Sequence, residues 1–148
     1  MYPKSNPLAS YGRVANSEND PLQQVVMLYD GAIKFLRLAG ADIDSGNLVA
    51  KAEHTNRALD ILNYLQSILD FEQGGEVAHT LDRLYTLVSM KVLRGSANLD
   101  SKAICAAAEL LAPVRDSWNQ IAAEEKVQTT ISVPTDSIPV RLGQMVLA

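Results

Sequence analysis

Residues 20–46 read DPLQQVVMLYDGAIKFLRLAGADIDSG, and this stretch decides the fold. Asp20 can accept from free backbone N–H groups, Pro21 suits the first helical position, and Gln23 completes a capping-box pattern. Leu22, Val25, Tyr29, Ala32, Leu36 and Ile43 then recur at helical spacing and line one face. Ser45-Gly46 supplies the stop, so the spacing predicts a helix from Asp20 to about Asp44. Such a helix hides its apolar face only by packing on other elements.

The same grammar extends in both directions. The prolines are Pro3, Pro7, Pro21, Pro113, Pro134 and Pro139, and none falls between Leu22 and Ala112. Proline costs about 3 kcal/mol inside a helix, so this window reads as helix throughout. Glycines at Gly46, Gly74-Gly75 and Gly95 punctuate it, and period-two alternation is absent. A second helix is expected from Asn47 as cap to about Asp70, burying Ala58, Ile61, Leu62, Leu65, Ile68 and Leu69. A third is expected from about Gly75 to Ala97, burying Val77, Leu81, Leu84, Val88 and Val92. The fourth starts at a cap on Asp100 or Ser101 and reaches about Glu125. Its stripe is Ile104, Ala107, Leu111, Val114, Trp118 and Ile121.

Four helices of similar length with short connectors predict an all-α, antiparallel, up-down-up-down four-helix bundle. The bundle covers 20–126, between a flexible N-terminal arm at 1–19 and an irregular C-terminal tail at 127–148. Pro113 removes the hydrogen bond to the Glu109 carbonyl, so a bend rather than an end is expected there. Gly31 in mid-helix predicts close approach by a neighbour, and Asp30 can pair with Lys34 one turn on.

The chain has 148 residues, 47% hydrophobic, with a formal net charge of -4. A domain of this size buries about 70% of its unfolded surface and needs no disulfide or metal. The single cysteine, Cys105, cannot form an internal bridge, which suits a reducing cytosol. No apolar run reaches the ~18 residues of a membrane span, and the N-terminus has no signal-peptide core. The acidic balance argues against phosphate-driven nucleic-acid binding. A cytosolic single domain is expected, with no membrane insertion and no nucleic-acid partner.

Chemistry has little foothold. Glu76 and His79 match one Glu-x-x-His spacing, but di-iron bundles need two such motifs and further inward glutamates. Glu76 reads better as a helix-start acid and His79 as a surface residue. Cys105 has no histidine near it in sequence and reads as a packing residue. Neither a nucleophile elbow nor a phosphate-cradling glycine loop occurs. No catalytic residue, metal ligand or cofactor is expected, and the chain does not read as an enzyme.

The anomaly is a surplus of apolar positions. Met27, Leu28, Phe35 and Leu38 lie outside the principal stripe of the first helix, and Leu87, Met90 and Leu93 outside that of the third. One core needs only about a 100° stripe per helix. Either the core is broad, with ordinary surface leucines, or an exposed groove receives an amphipathic partner.

Specific strings bear on that choice. Met27-Leu28-Tyr29-Asp30-Gly31-Ala32-Ile33 and Leu69-Asp70-Phe71-Glu72-Gln73-Gly74-Gly75-Glu76-Val77-Ala78 closely resemble signature stretches of the FliS family of flagellar export chaperones. Val114-Arg115-Asp116-Ser117-Trp118 is similar to the family's aromatic-ended fourth helix, and Tyr11-Gly12-Arg13-Val14 to its N-terminal aromatic element. The resemblance spans about residues 10 to 122. It implies a chaperone of flagellum assembly that holds the disordered C-terminal segment of flagellin, blocks early polymerisation and assists type III export. The partners implied are flagellin and the flagellar export apparatus, with the chaperone a monomer or weak homodimer. A helical adaptor or regulator of another flagellar protein is the alternative.

The resemblance places a groove-capping role on Tyr11 and Val14. The client-binding set expected is therefore Tyr11, Val14, Met27, Leu28, Phe35, Leu38, Leu87, Met90 and Leu93. Ordering a client costs roughly 2–5 kcal/mol, offset by burying about 1,000–3,000 Å². The chain departs from the family in three places. Ser17-Glu18-Asn19-Asp20-Pro21 keeps only the cap and proline of the usual lead-in, Pro113 bends the last helix, and the tail from Val127 is long. Ile138 to Leu147 loosely resembles the apolar end of a flagellin chain, and this tail is expected to occupy the chain's own groove or a neighbour's when no client is bound.

Overall fold

The computed structural model describes residues 20–130, with side chains through Lys126. Four helices follow in order: α1 (Pro21–Ser45), α2 (Leu48–Ser67), α3 (Phe71–Ala97) and α4 (Ser101–Thr130). Each helix start has a side-chain cap. The carboxylate of Asp20 accepts from Gln23 N–H at 3.1 Å, Asn47 from Ala50 at 3.1 Å, Asp70 from Gln73 at 3.0 Å, and Asp100 from Ala103 at 3.1 Å. Removing such a cap costs about 1 kcal/mol. Gly46 ends α1 in a left-handed conformation, φ 77°, and its N–H donates to the Ile43 carbonyl at 3.1 Å.

Two boundaries differ from the sequence reading. Helix α2 stops at Ser67 instead of about Asp70, because Asp70 caps the next helix. Helix α3 makes one turn from Phe71, breaks at Gly75 (φ 52°, ψ −128°), and then continues. That backbone region is nearly closed to residues with a Cβ, which accounts for glycine at the break. Helix α4 carries through Pro113 without ending and runs past the expected Glu125.

The helices form a closed ring. Helix α1 packs on α2 and α4, and α3 packs on the same two helices, so α1 and α3 lie diagonally opposite. This is the predicted antiparallel bundle. Small residues bring neighbours close: a Cβ on Gly31 would lie 3.2 Å from Ile61, and one on Gly40 would lie 2.9 Å from Cys105 Sγ. Asp30 pairs with Arg115 of α4 rather than with Lys34, so a contact expected within one helix ties two together.

The core takes in nearly the whole expected stripe of α1, from Leu22 through Leu36, together with Leu62, Leu65, Val88, Val92, Ile104, Leu111 and Trp118. Fully burying one such leucine stabilises the fold by about 1.5–3 kcal/mol. At its centre Tyr29 and Tyr85 share a 2.6 Å hydrogen bond between their hydroxyls, joining diagonal helices. Burial pushes the Tyr29 hydroxyl up to about 12, with hydrogen bonds from Tyr85 and Trp118 opposing the shift. Burial raises Tyr85 further. Among the described residues one buried side-chain polar atom lacks a partner, Thr55 Oγ1 on α2.

Candidate binding surface

Helix α3 shows most clearly where apolar area stays in water. Phe71, Val77, Leu87, Met90 and Leu93 are all exposed on it, more large apolar residues than any other helix exposes. Leu87, Met90 and Leu93 are 49%, 44% and 55% exposed, against full burial of Val88 and Val92 beside them. Steps of three residues rotate backwards around a helix, so these side chains sweep across its outer face from the α4 side to the α2 side.

The two edges of that face differ chemically. Towards α2, hydrogen bonds tie the helices. Lys51 Nζ donates to the Ser96 carbonyl at 3.2 Å and hydroxyl at 3.1 Å, and Gln66 donates to Asp82 at 2.8 Å and Thr86 at 2.9 Å. Towards α4 the seam is apolar. No side-chain hydrogen bond or ion pair joins residues 80–95 of α3 to α4 among the described residues. A Cβ on Gly95 would meet Ile104 at 3.0 Å and Ala103 at 3.2 Å, which sets the register. Two turns away Val88 is level with Leu111, one turn further Leu84 is level with Val114, and Val77 is level with Ile121. Leu84, Val114 and Ile121 are half-buried against the core, while Leu87 and Leu110 stand exposed along the same seam.

The expected client-binding residues divide on this geometry. Leu87, Met90 and Leu93 share the outer face of α3. Leu38 is exposed at 36% but stands on α1, across the bundle diagonal, so it lines no groove with them. Leu28 is only 5% exposed and belongs to the core, which corrects its reading as surplus. Met27 and Phe35 are half-buried, and Phe35 is already occupied: His54 stacks on its ring at 5.9 Å and Arg57 lies 5.7 Å from its centroid. His54 is held there by a 2.6 Å contact with Asp42. Tyr11 and Val14 lie outside the described residues, as do the arm and most of the tail.

The sequence reading missed Leu110 and misplaced Val77, which is 41% exposed instead of buried. Ala103, Leu110, Val114 and Ile121 follow one another by seven, four and seven, a row that spacing alone could have revealed. His79 is exposed and packs on Phe71 at 4.8 Å, and among the described residues no cluster of metal-ligating side chains forms. No helix among them is long and apolar enough to cross a membrane.

A family model described as "Flagellar protein FliS" matches residues 4–125. The chain belongs to the FliS family. The match bears out the resemblance carried by Met27–Ile33 and Leu69–Ala78. A flagellar secretion chaperone FliS of Salmonella typhimurium is 35% identical over 109 residues, 73% of this chain and 81% of that protein. Its namesake in Vibrio cholerae is 32% identical over 108 residues, 73% of this chain and 79% of that protein. The Bacillus subtilis namesake is 23% identical over 121 residues, 82% of this chain and 90% of that protein. This FliS-family bundle therefore combines a well-filled core with one helix whose outer face exposes Leu87, Met90 and Leu93 among the exposed Arg83, Lys91 and Arg94.

Proposed function

We propose that this chain is a flagellar secretion chaperone that binds the disordered C-terminal segment of flagellin on the outer face of α3 and its seam with α4. The observation that carries the reading is the exposed Leu87, Met90 and Leu93 on a helix of a FliS-family bundle. An amphipathic segment laid on such a face buries its own apolar side, the side through which subunits pack in a filament. Covering it blocks polymerisation by occupancy, with no bond made or broken. The chaperone works in the cytoplasm as a monomer or weak homodimer, and passes its client to the export apparatus.

Isothermal titration with the C-terminal fragment of flagellin from the same genome tests this. One-to-one binding tighter than about 1 μM, roughly -8 kcal/mol, is expected. Absence of heat and of co-elution at high micromolar concentration overturns it.

A further inference from the structure

Cations interleave with the exposed apolar residues of α3 and define the kind of segment that fits there. We propose that the outer face of α3 selects an amphipathic helix whose apolar stripe is bordered by acidic side chains; this rests on the client-binding reading above and specifies the chemistry of the docked segment.

Charge on this face runs against that of the chain. The net charge is -4, yet between Arg83 and Leu99 the sequence carries Arg83, Lys91 and Arg94 and no acid. All three cations are exposed. Arg83 donates only to the Thr80 hydroxyl, at 3.5 Å, and Lys91 and Arg94 make no ion pair or side-chain hydrogen bond among the described residues. By contrast, Arg57 meets Glu53 at 3.8 Å, and Arg115 meets Asp30 and Asp116. Asp82, the acid just before Arg83, is turned to α2, where it accepts from Gln66 at 2.8 Å.

Helical geometry sets the cations around the apolar residues. Arg83 precedes Met90 by seven residues and Arg94 follows Leu87 by seven, so each shares a lengthwise row with an apolar side chain two turns away. Lys91 follows Leu84 by seven and so stands on the α4 side. Arg83 and Arg94 are about 16 Å apart along the axis, a length that about three turns of a partner helix span. The row of α4 along the seam, Ala103, Leu110, Val114 and Ile121, is uncharged. Rows that repeat every two turns suit a facing helix, which carries the same period.

A helix laid on this face buries its stripe on Leu87, Met90 and Leu93 while carboxylates along its borders meet the three cations. A basic helix brings like charges together instead and is rejected. On α1 the exposed cations Lys34 and Arg37 accompany a single exposed large apolar residue, Leu38, so the conjunction of the two features belongs to α3.

Two synthetic helical peptides with the same leucine stripe, one bordered by glutamate and one by lysine, test the selectivity on the full chain. Methyl NMR follows Leu87, Met90 and Leu93 during titration. The glutamate peptide is expected to shift these signals and to bind at least about tenfold tighter than the lysine peptide, with the preference shrinking as salt screens it. The triple variant Arg83→Gln, Lys91→Gln, Arg94→Gln is expected to lose the preference with its urea stability unchanged. Equal affinities for the two peptides overturn the proposal, as do a preference that survives in the triple variant and shifts confined to other helices. Binding to phosphatidylglycerol vesicles that the triple variant loses, without any peptide preference, assigns the face to a lipid surface and also overturns it. The flagellin fragment separates this selectivity from the client reading. Weakening of the fragment by about tenfold in the triple variant supports both. Equal binding of the fragment by both proteins overturns the proposal and leaves the client reading standing. A preference for the glutamate peptide with the fragment bound by neither protein supports the selectivity and defeats the client reading.

Discussion

Helices α1 and α3 have nearly equal length and both carry apolar residues beyond one stripe, yet the bundle treats them differently. Helix α1 is clasped on two sides, by Gly31 under Ile61 and Gly40 against Cys105, with Arg115 drawn onto Asp30. Of its additional apolar residues Leu28 is absorbed into the core, Met27 and Phe35 are half-buried, and Leu38 alone is exposed. Helix α3 is more lightly packed, and its extra apolar residues stay in water. Apolar surplus therefore means different things on the two helices: largely sheltered on α1, open to water on α3.

The largest test of this contrast is truncation. Leu36→Ala on α1 should lower unfolding free energy by about 2–5 kcal/mol, whereas Leu87→Ala on α3 should stay within about 0.5 kcal/mol. Urea denaturation of both variants measures the difference, and equal losses break the comparison. The tie between the two helices is tested by alkali. Below pH 10 both states hold the tyrosine protons, but above it the unfolded chain releases them while Tyr29 holds on to about 12 and Tyr85 beyond. Stability should thus fall above pH 10 by about 1.4 kcal/mol per pH unit for each tyrosine. Chemical denaturation across pH 9–12 measures the slope, which the Tyr29→Phe, Tyr85→Phe double variant should flatten.

Binding gives a smaller, sharper separation. Leu87→Glu should weaken the flagellin fragment at least tenfold, about 1.4 kcal/mol, while Leu38→Glu on α1 changes titrated affinity less than about twofold. The smallest effect concerns α2, which both helices share. Thr55→Val removes the unpartnered buried hydroxyl and should raise stability by about 1 kcal/mol in the same urea assay.

The architecture was legible because its signals are local. Asp20, Asn47 and Asp100 cap the helices they were read to cap, since a cap needs only residues three apart. Asp70 misled because it follows an apolar stripe and precedes another, and only its bond to Gln73 assigns it to α3. The exposed apolar face was half legible. Excess apolar residues show in the sequence, but which helices are neighbours does not, so Leu38 was grouped with residues across the diagonal. Val77 was merged with the core stripe because it precedes Gly95 by eighteen residues, in phase with the row that meets α4. Tyr85 went unread, since its partner is 56 positions away.

Trp118 is the chain's one tryptophan, buried on α4 beside the Tyr29 hydroxyl. Its emission consequently reports on the middle of the bundle, and loosening of the core will redden it. The molecule thus carries a built-in optical readout of its own fold.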